Sequence, residues 1–146
     1  MTIQEAPLGQ LVQLAYRAAD GAIQRGLQRR GFDVRMTHSA VLANIDIATG
    51  TRATVLAERA AVSKQAIGEL IDDLQNRGYV RRVADPADGR AKLIQLTRKG
   101  HQLMDAAYEV IGQIERALLK ETGKKDLETA RDVLQALIGI TSEAPE

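Results

Sequence analysis

The most sharply patterned stretch of the chain runs from Val62 to Gly78. Apolar residues fall at Ile67, Leu70, Ile71 and Leu74, an i, i+3, i+4, i+7 stripe, while Ser63, Lys64, Gln65, Gly68, Glu69 and Asp72 lie off it. This spacing predicts one amphipathic helix. Ser63 supplies an N-cap oxygen, and Gly78 stands just past the last apolar turn, where a glycine can take the left-handed conformation. Upstream, Thr54 to Ala60 reads as a shorter helix capped by Thr54, with Thr51 the alternative cap, and only Ala61 and Val62 separate it from the next cap. Two short helices joined so tightly predict a helix-turn-helix.

Beyond Gly78 the period changes. Tyr79 to Ala84 and Ala91 to Leu96 are strand-like runs enclosing Asp85-Pro86-Ala87-Asp88-Gly89-Arg90, in which Pro fixes φ and Gly accepts positive φ, so a hairpin wing is expected. Ahead of the helix-turn-helix, Thr2 to Pro7 reads as a loose arm. Leu11, Ala15, Ala18, Ala22 and Leu27 hold a helical stripe over residues 8–30, opened by Pro7 and stopped by Gly31. Thr37 or Ser39 can cap a second helix carrying Val41, Leu42, Ile45 and Ala48 before Gly50, and a short strand near Arg52 and Ala53 is a candidate partner for the wing. Thr97 caps a long helix to about Glu121, with Leu103, Ala107, Val110, Ile111, Ile114 and Leu118 on its apolar face and Gly123 at its end. Asp126 caps a last helix carrying Leu127, Ala130, Val133, Leu134, Leu137 and Ile138, and residues 141–146 should fray.

The fold class expected is mainly α: a winged helix-turn-helix over residues 37–97, flanked by helices over 8–30 and 97–140, within a single domain of 146 residues. The flanking helices raise a burial problem, because the compact core offers them little surface. Burying a Leu or Ile side chain is worth about 1.5 to 3 kcal/mol, so leaving several exposed forfeits much of an ordinary domain's stability. A second subunit resolves this, with Leu11, Ala15, Leu118, Leu127, Leu134 and Leu137 as interface residues; the alternative is a three-helix packing within one chain.

Composition adjusts this picture in three places. A net charge of +1 hides a segregation: residues 51–100 carry ten Lys/Arg against six Asp/Glu, and residues 101–146 five against nine. The positive field therefore sits on the helix-turn-helix and wing, which is the footprint of a nucleic-acid partner. Zero cysteines exclude disulfides and cysteine redox sensing. No run of about 20 apolar residues is present, and the N-terminal stretch lacks a secretory pattern, so a cytoplasmic protein without a membrane partner is expected. His38 and His101 stand alone, with no metal-binding spacing, phosphate loop or nucleophile elbow, so neither an enzyme nor a cofactor or metal site is expected.

The N-terminal turn of a second helix in such a motif enters the major groove first, which nominates Ser63, Lys64, Gln65 and Gly68 for DNA contact. Gln pairs with adenine and Lys with guanine, while Ser and the helix N-terminus hold phosphate. In the wing, Asp88 is expected to hold the turn and aim Arg90 outward, with Arg82 and Lys92 as phosphate contacts.

Leu56-Ala57-Glu58-Arg59, Val62-Ser63-Lys64-Gln65, Leu74 to Val80, Asp85-Pro86 with Asp88-Gly89-Arg90, and Leu96-Thr97 with Gly100 together resemble the winged-helix core of the MarR family of ligand-responsive transcriptional regulators. The resemblance covers about a third of the chain. It implies a homodimeric repressor on a pseudo-palindromic operator, terminal helices interdigitated about a two-fold axis, and Arg90 entering a minor groove. It also implies a small-molecule effector site between the dimerisation helices and the winged helix, for which Tyr16, His38 and Tyr108 are candidates. The chain departs from the family's habit at Gly68 and Glu69, where a small polar and then a basic residue are common, and at Gly89, where a second Arg is common. The reading from another class is a winged helix used as a protein-interaction or assembly module without a specific DNA site.

Overall fold

The computed structural model describes residues 2–142. Along them the backbone forms α1 (Leu8–Arg29), α2 (Ser39–Leu42), β1 (Thr51–Arg52), α3 (Ala53–Ala60), α4 (Lys64–Asn76), β2 (Val80–Asp85), β3 (Asp88–Leu96), α5 (Arg98–Thr122) and α6 (Lys124–Ser142), with single 3-10 turns at Ile3–Glu5 and Met36–His38. The arrangement is a winged helix: α2, α3 and α4 beside an antiparallel sheet of order β1-β3-β2. Residues up to Val110 make one compact unit and those from Ile111 a second, so α5 begins in the first and ends in the second.

In the first unit, the stripe of α4 is the inner face of the core. Ile67, Ile71 and Leu74 lie buried with Val41, Leu56, Tyr79, Val80, Ile94 and Leu103. The end of α4 is a Schellman turn in which Tyr79 N–H reaches the Leu74 carbonyl and Gly78 N–H the Gln75 carbonyl, closed by Gly78 at φ +84°. This turn delivers Tyr79 into the core, where its Oη accepts the Asp33 N–H at 2.8 Å. Ala61 takes the left-handed conformation (φ 53°) at the end of α3, and the chain reverses into Ser63, whose Oγ accepts the Ala66 N–H at 3.0 Å.

The sheet sets the wing. β1 pairs with β3 through Thr51↔Ile94 and Arg52↔Leu93, and β2 pairs with β3 from Val80↔Leu96 to Asp85↔Asp88, with an irregularity at Ala84 and Asp85. Thr97 then joins wing to helix: its Oγ1 accepts the Gly100 N–H and donates to the Gly78 carbonyl, and its N–H reaches the Tyr79 carbonyl. A Cβ on Gly100 would collide with that carbonyl oxygen, so the start of α5 can lie this close to the residue leading into β2 only with glycine there.

Six expectations about local structure need correcting. The second helix is shorter than its apolar pattern, ending at Leu42, because the backbone beyond turns through bonds such as Asp46 N–H to Thr51 Oγ1 and Arg59 to the Asn44 carbonyl. Neither Thr54 nor Thr51 caps α3; Arg52 is its N-cap residue without a side-chain bond, and Thr51 is a buried strand residue bound to Asp46. The wing turn is Asp85-Pro86-Ala87-Asp88, so β3 starts at Asp88 and Gly89 is not left-handed. α6 begins at Lys124, directly after Gly123, which leaves Asp126 in the first turn rather than at the cap. Thr2 to Pro7 contains a 3-10 turn, with Thr2 N–H donating to Glu5. Thr141 and Ser142 are helical, while residues 143–146 lie outside the described residues.

The second unit holds the end of α5 and all of α6, joined by an Arg131–Glu115 ion pair at 2.9 Å. None of its described apolar residues is buried, and Ile111, Ile114, Leu127 and Leu137 are half-buried. α6 buries no residue, and Leu118, Leu119, Val133, Leu134, Ile138 and Ile140 are all exposed.

Candidate nucleic-acid interface

The N-terminal turn of α4 stands free of the core. Ser63, Lys64 and Gln65 are exposed, Ser63 with its oxygen engaged as the cap, and Gln65 Nε2 donates to Glu69 Oε1 at 3.3 Å. Gly68 lies on the same side, with no heavy atom within 4 Å of where a Cβ would be. The helix thus offers its exposed N-terminal residues as a unit, held from behind by Ile67, Ile71 and Leu74.

Arg90 and Lys92 are exposed on β3. Asp88 holds the turn as expected of its position, its Oδ1 accepting the Arg90 N–H at 3.1 Å; its partner is the backbone rather than the guanidinium. Arg82 is placed differently from a free phosphate ligand. Its guanidinium donates to Asp72 Oδ1 at 2.7 Å and Gln75 Oε1 at 2.8 Å, tying β2 to the outer side of α4. The base of the wing has a tie of its own: Arg52 reaches the buried Asp85 at 2.6 and 2.7 Å, and Asp85 also accepts the Ala87 N–H. That backbone bond first, and Arg52 second, hold the Asp85 carboxyl below the usual carboxylate range.

A second polar cluster fixes α4 from the other side. His38 is 1 % exposed; its Nδ1 accepts the Arg35 N–H, so its Nε2 carries the proton and donates to Asp73 at 2.7 Å. Asp73 also takes Arg77 Nε at 3.0 Å, and Arg77 reaches Asp33 at 2.6 Å. The His38 bond first and Arg77 second lower the Asp73 carboxyl from its ordinary value. Sequence reading missed this network and the Arg52–Asp85 tie. Asp73 and Arg77 are legible as an i, i+4 pair, but their link to residues 33 and 38, like that of 52 to 85, spans a distance that only the fold closes.

The three effector candidates do not converge. Tyr16 lines an open cavity of about 480 Å³ with Met36, Ala40, Asn44, Arg59 and Leu70, its Oη 3.5 Å from Ser39 Oγ. Asp20 lies behind Ser39, its carboxyl raised by partial burial against the lowering effect of the Ser39 hydroxyl. Neither His38, whose ring is spent on Arg35 and Asp73, nor the exposed Tyr108 is among the lining residues. Among the described residues no helix is long and apolar enough to cross a membrane, and no group of three His, Cys, Asp or Glu side chains is placed to hold a metal.

The MarR family profile matches residues 32–91, from just after α1 to the first residues of β3. Over these residues the chain is similar to the MarR family. Curated relatives include the transcriptional regulator HosA of Escherichia coli O111:H-, 26 % identical over 106 residues, which cover 73 % of this chain and 78 % of that protein. Among solved structures, apo MarR of E. coli matches with a TM-score of 0.72 at 24 % identity, covering 90 % of this chain and 97 % of that one. CouR of Rhodococcus jostii RHA1, solved bound to p-coumaroyl-CoA, matches with a TM-score of 0.72 at 26 % identity over 94 % of both chains. In this MarR fold, α4 occupies the position of the second helix of the helix-turn-helix, and β2 and β3 are its wing.

Proposed function

We propose that the chain is a homodimeric, sequence-specific regulator of transcription that represses from a pseudo-palindromic operator in double-stranded DNA and is modulated by a small-molecule effector. The observation that carries this reading is the pairing of an exposed α4 N-terminus, with Ser63, Lys64 and Gln65, and a wing bearing Arg90 and Lys92. Lys64 and Gln65 read base edges, Ser63 and the helix end hold phosphate, and Arg90 lies along the minor groove. A second copy covers the apolar faces of α1, at half-buried Leu11 and exposed Ala15, and of the second unit, at exposed Leu118 and Leu134 and half-buried Leu127 and Leu137, and sets two α4 helices about 34 to 36 Å apart. The cavity at Tyr16 is the effector site in this reading, because it is lined from both α1 and the helix-turn-helix, so a ligand there biases their spacing.

The test is a gel shift across a salt series with duplexes selected from random sequence. One family of sequences should bind far more tightly than its scrambled counterparts, with affinity falling steeply as salt rises. Equal binding to all duplexes, or none, would favour a protein-interaction module instead.

A further inference from the structure

The outward face of α4 is acidic where a DNA reader is ordinarily basic, and the way its charges are spent says what it reads. Gln65, Gly68, Glu69 and Asp72 follow one another at i, i+3, i+4 and i+7 and so share a face. Asp72 is neutralised by Arg82 at 2.7 Å. Glu69 has no such cation among the described residues; its bond is to Gln65 Nε2 at 3.3 Å. One of the two Gln65 N–H donors is therefore spent within the helix, and what the face turns outward is rich in acceptors: the Gln65 carbonyl and the remaining Glu69 oxygen. Between them Gly68 is bare, and no atom of the chain comes within 4 Å of its missing Cβ. Glycine weakens a helix interior, and nothing in the chain itself requires it here.

We propose that Gln65 and Glu69 act together as a reader of exocyclic amino groups, adenine N6 and cytosine N4, with Gly68 as the gap that lets the base edge approach. This rests on the DNA-binding reading above. In the major groove adenine and cytosine present amino donors, whereas guanine presents the acceptors N7 and O6, and thymine O4 beside its methyl group. An acceptor face pairs with the first two. Against guanine, carboxylate oxygen meets acceptor lone pairs with no proton between them, and the desolvated charge is left unpaired. Glu69 thus acts by exclusion as much as by attraction, and it also repels phosphate, so it weakens binding to arbitrary DNA while sharpening the choice of base.

The experiment is selection of bound duplexes from a random library by the full-length wild type, Glu69→Ala, Glu69→Gln and Gln65→Ala. Glu69 is exposed and its side chain bonds to Gln65, so unchanged thermal unfolding of the variants is the expected control. Wild type should enrich A or C, and exclude G, at a position in each half-site. Glu69→Ala and Gln65→Ala should relax that same position, costing roughly 5- to 150-fold on the selected duplex. Glu69→Ala should bind random duplex as well as wild type or better. Glu69→Gln, which can donate, should admit G there. An unchanged preference in Glu69→Ala, or G enriched by wild type at the position that Glu69→Ala alters, overturns this proposal and leaves DNA binding standing. No enriched sequence with wild type overturns both.

Discussion

Helices α4 and α6 carry the same kind of pattern and meet different surroundings. In α4, 13 residues long, Ile71 and Leu74 have no exposed surface; in α6, 19 residues long, no residue is buried, and Leu134 is 43 % exposed. An apolar stripe states that a helix has a face to cover. What covers it depends on whether the rest of the chain supplies a complementary surface, as α3, Tyr79 and the sheet do for α4. The proposed function assigns α6 to a second copy of the chain, and the two helices can be driven apart or together by experiment.

The largest effect is expected at Leu134→Asp. If a second copy covers α6, the carboxylate enters an apolar interface without a partner, and the dimer dissociates or unfolds. Sedimentation should show a wild-type dimer at micromolar concentration and a variant that is monomeric or unfolded. A wild-type monomer, with Leu134→Asp as thermostable as the parent, would mean that the stripe of α6 is solvated and that the comparison with α4 teaches nothing about assembly.

Ile71→Ala tests the other helix. It empties a fully buried site and should cost about 2 to 5 kcal/mol of stability in urea unfolding. The sharper observation is its dependence on concentration. Ile71→Ala and a milder change on α6, Leu134→Ala, both inherit the mass-action dependence of a dimer, but Leu134→Ala should lose stability chiefly by weakening association, so its midpoint should fall most when the protein is dilute. Ile71→Ala should be displaced by a similar amount at every concentration.

Acid should loosen α4 and the wing before it reaches the apolar contacts. Asp73 and Asp85 both have folded-state values below those of the unfolded chain, through His38 and Arg77 in one case and through the Ala87 N–H and Arg52 in the other. A depressed carboxyl contributes stability that is fully present above its unfolded value, about 3.9, and is lost as pH falls from there through the lower folded value. Stability should therefore hold between pH 5 and 7 as far as these two groups are concerned and drop below about pH 4. Asp85→Asn should be less stable than wild type at pH 7 and should show a shallower acid-induced loss in urea unfolding.

How much of this was legible in the sequence follows the same division. The stripe of α4, its Ser63 cap and its Gly78 exit are local and were readable, as were the two strands and the Thr97 start of α5. Elements decided by contacts far along the chain were not. Ala48 belongs to an apolar pattern yet lies in a turn, because Asp46 and Asn44 are held by Thr51 and Arg59. Gly100 reads as an ordinary helical glycine until the Tyr79 carbonyl is placed beside it. In the candidate site, the exposure of Ser63, Lys64 and Gln65 at the start of α4 and of Arg90 on the wing was readable, because local pattern sets which side of an element faces the core. The engagements of Arg82 and His38 were not, since a charge in a sequence does not disclose its partner.

The smallest effect separates two arginines that look alike in sequence. Arg90 is exposed on the wing, whereas Arg82 is bound to Asp72 and Gln75 on α4. If Arg90 meets DNA, Arg90→Ala should make the slope of log K against log salt less steep by about one unit and weaken selected and scrambled duplexes alike. Arg82→Ala should act by another route. Its pair with Asp72 is partly exposed, so stability should fall by at most about 1 kcal/mol, while removal of the guanidinium leaves Asp72 as a second uncompensated carboxylate beside Glu69. Binding should weaken through that added repulsion with the number of released counterions, and hence the salt slope, nearly unchanged. A slope reduced by a full unit in Arg82→Ala would show that the arginine leaves Asp72 for phosphate when DNA arrives. The outer face of α4 would then be one carboxylate more acidic in the complex than in the free chain.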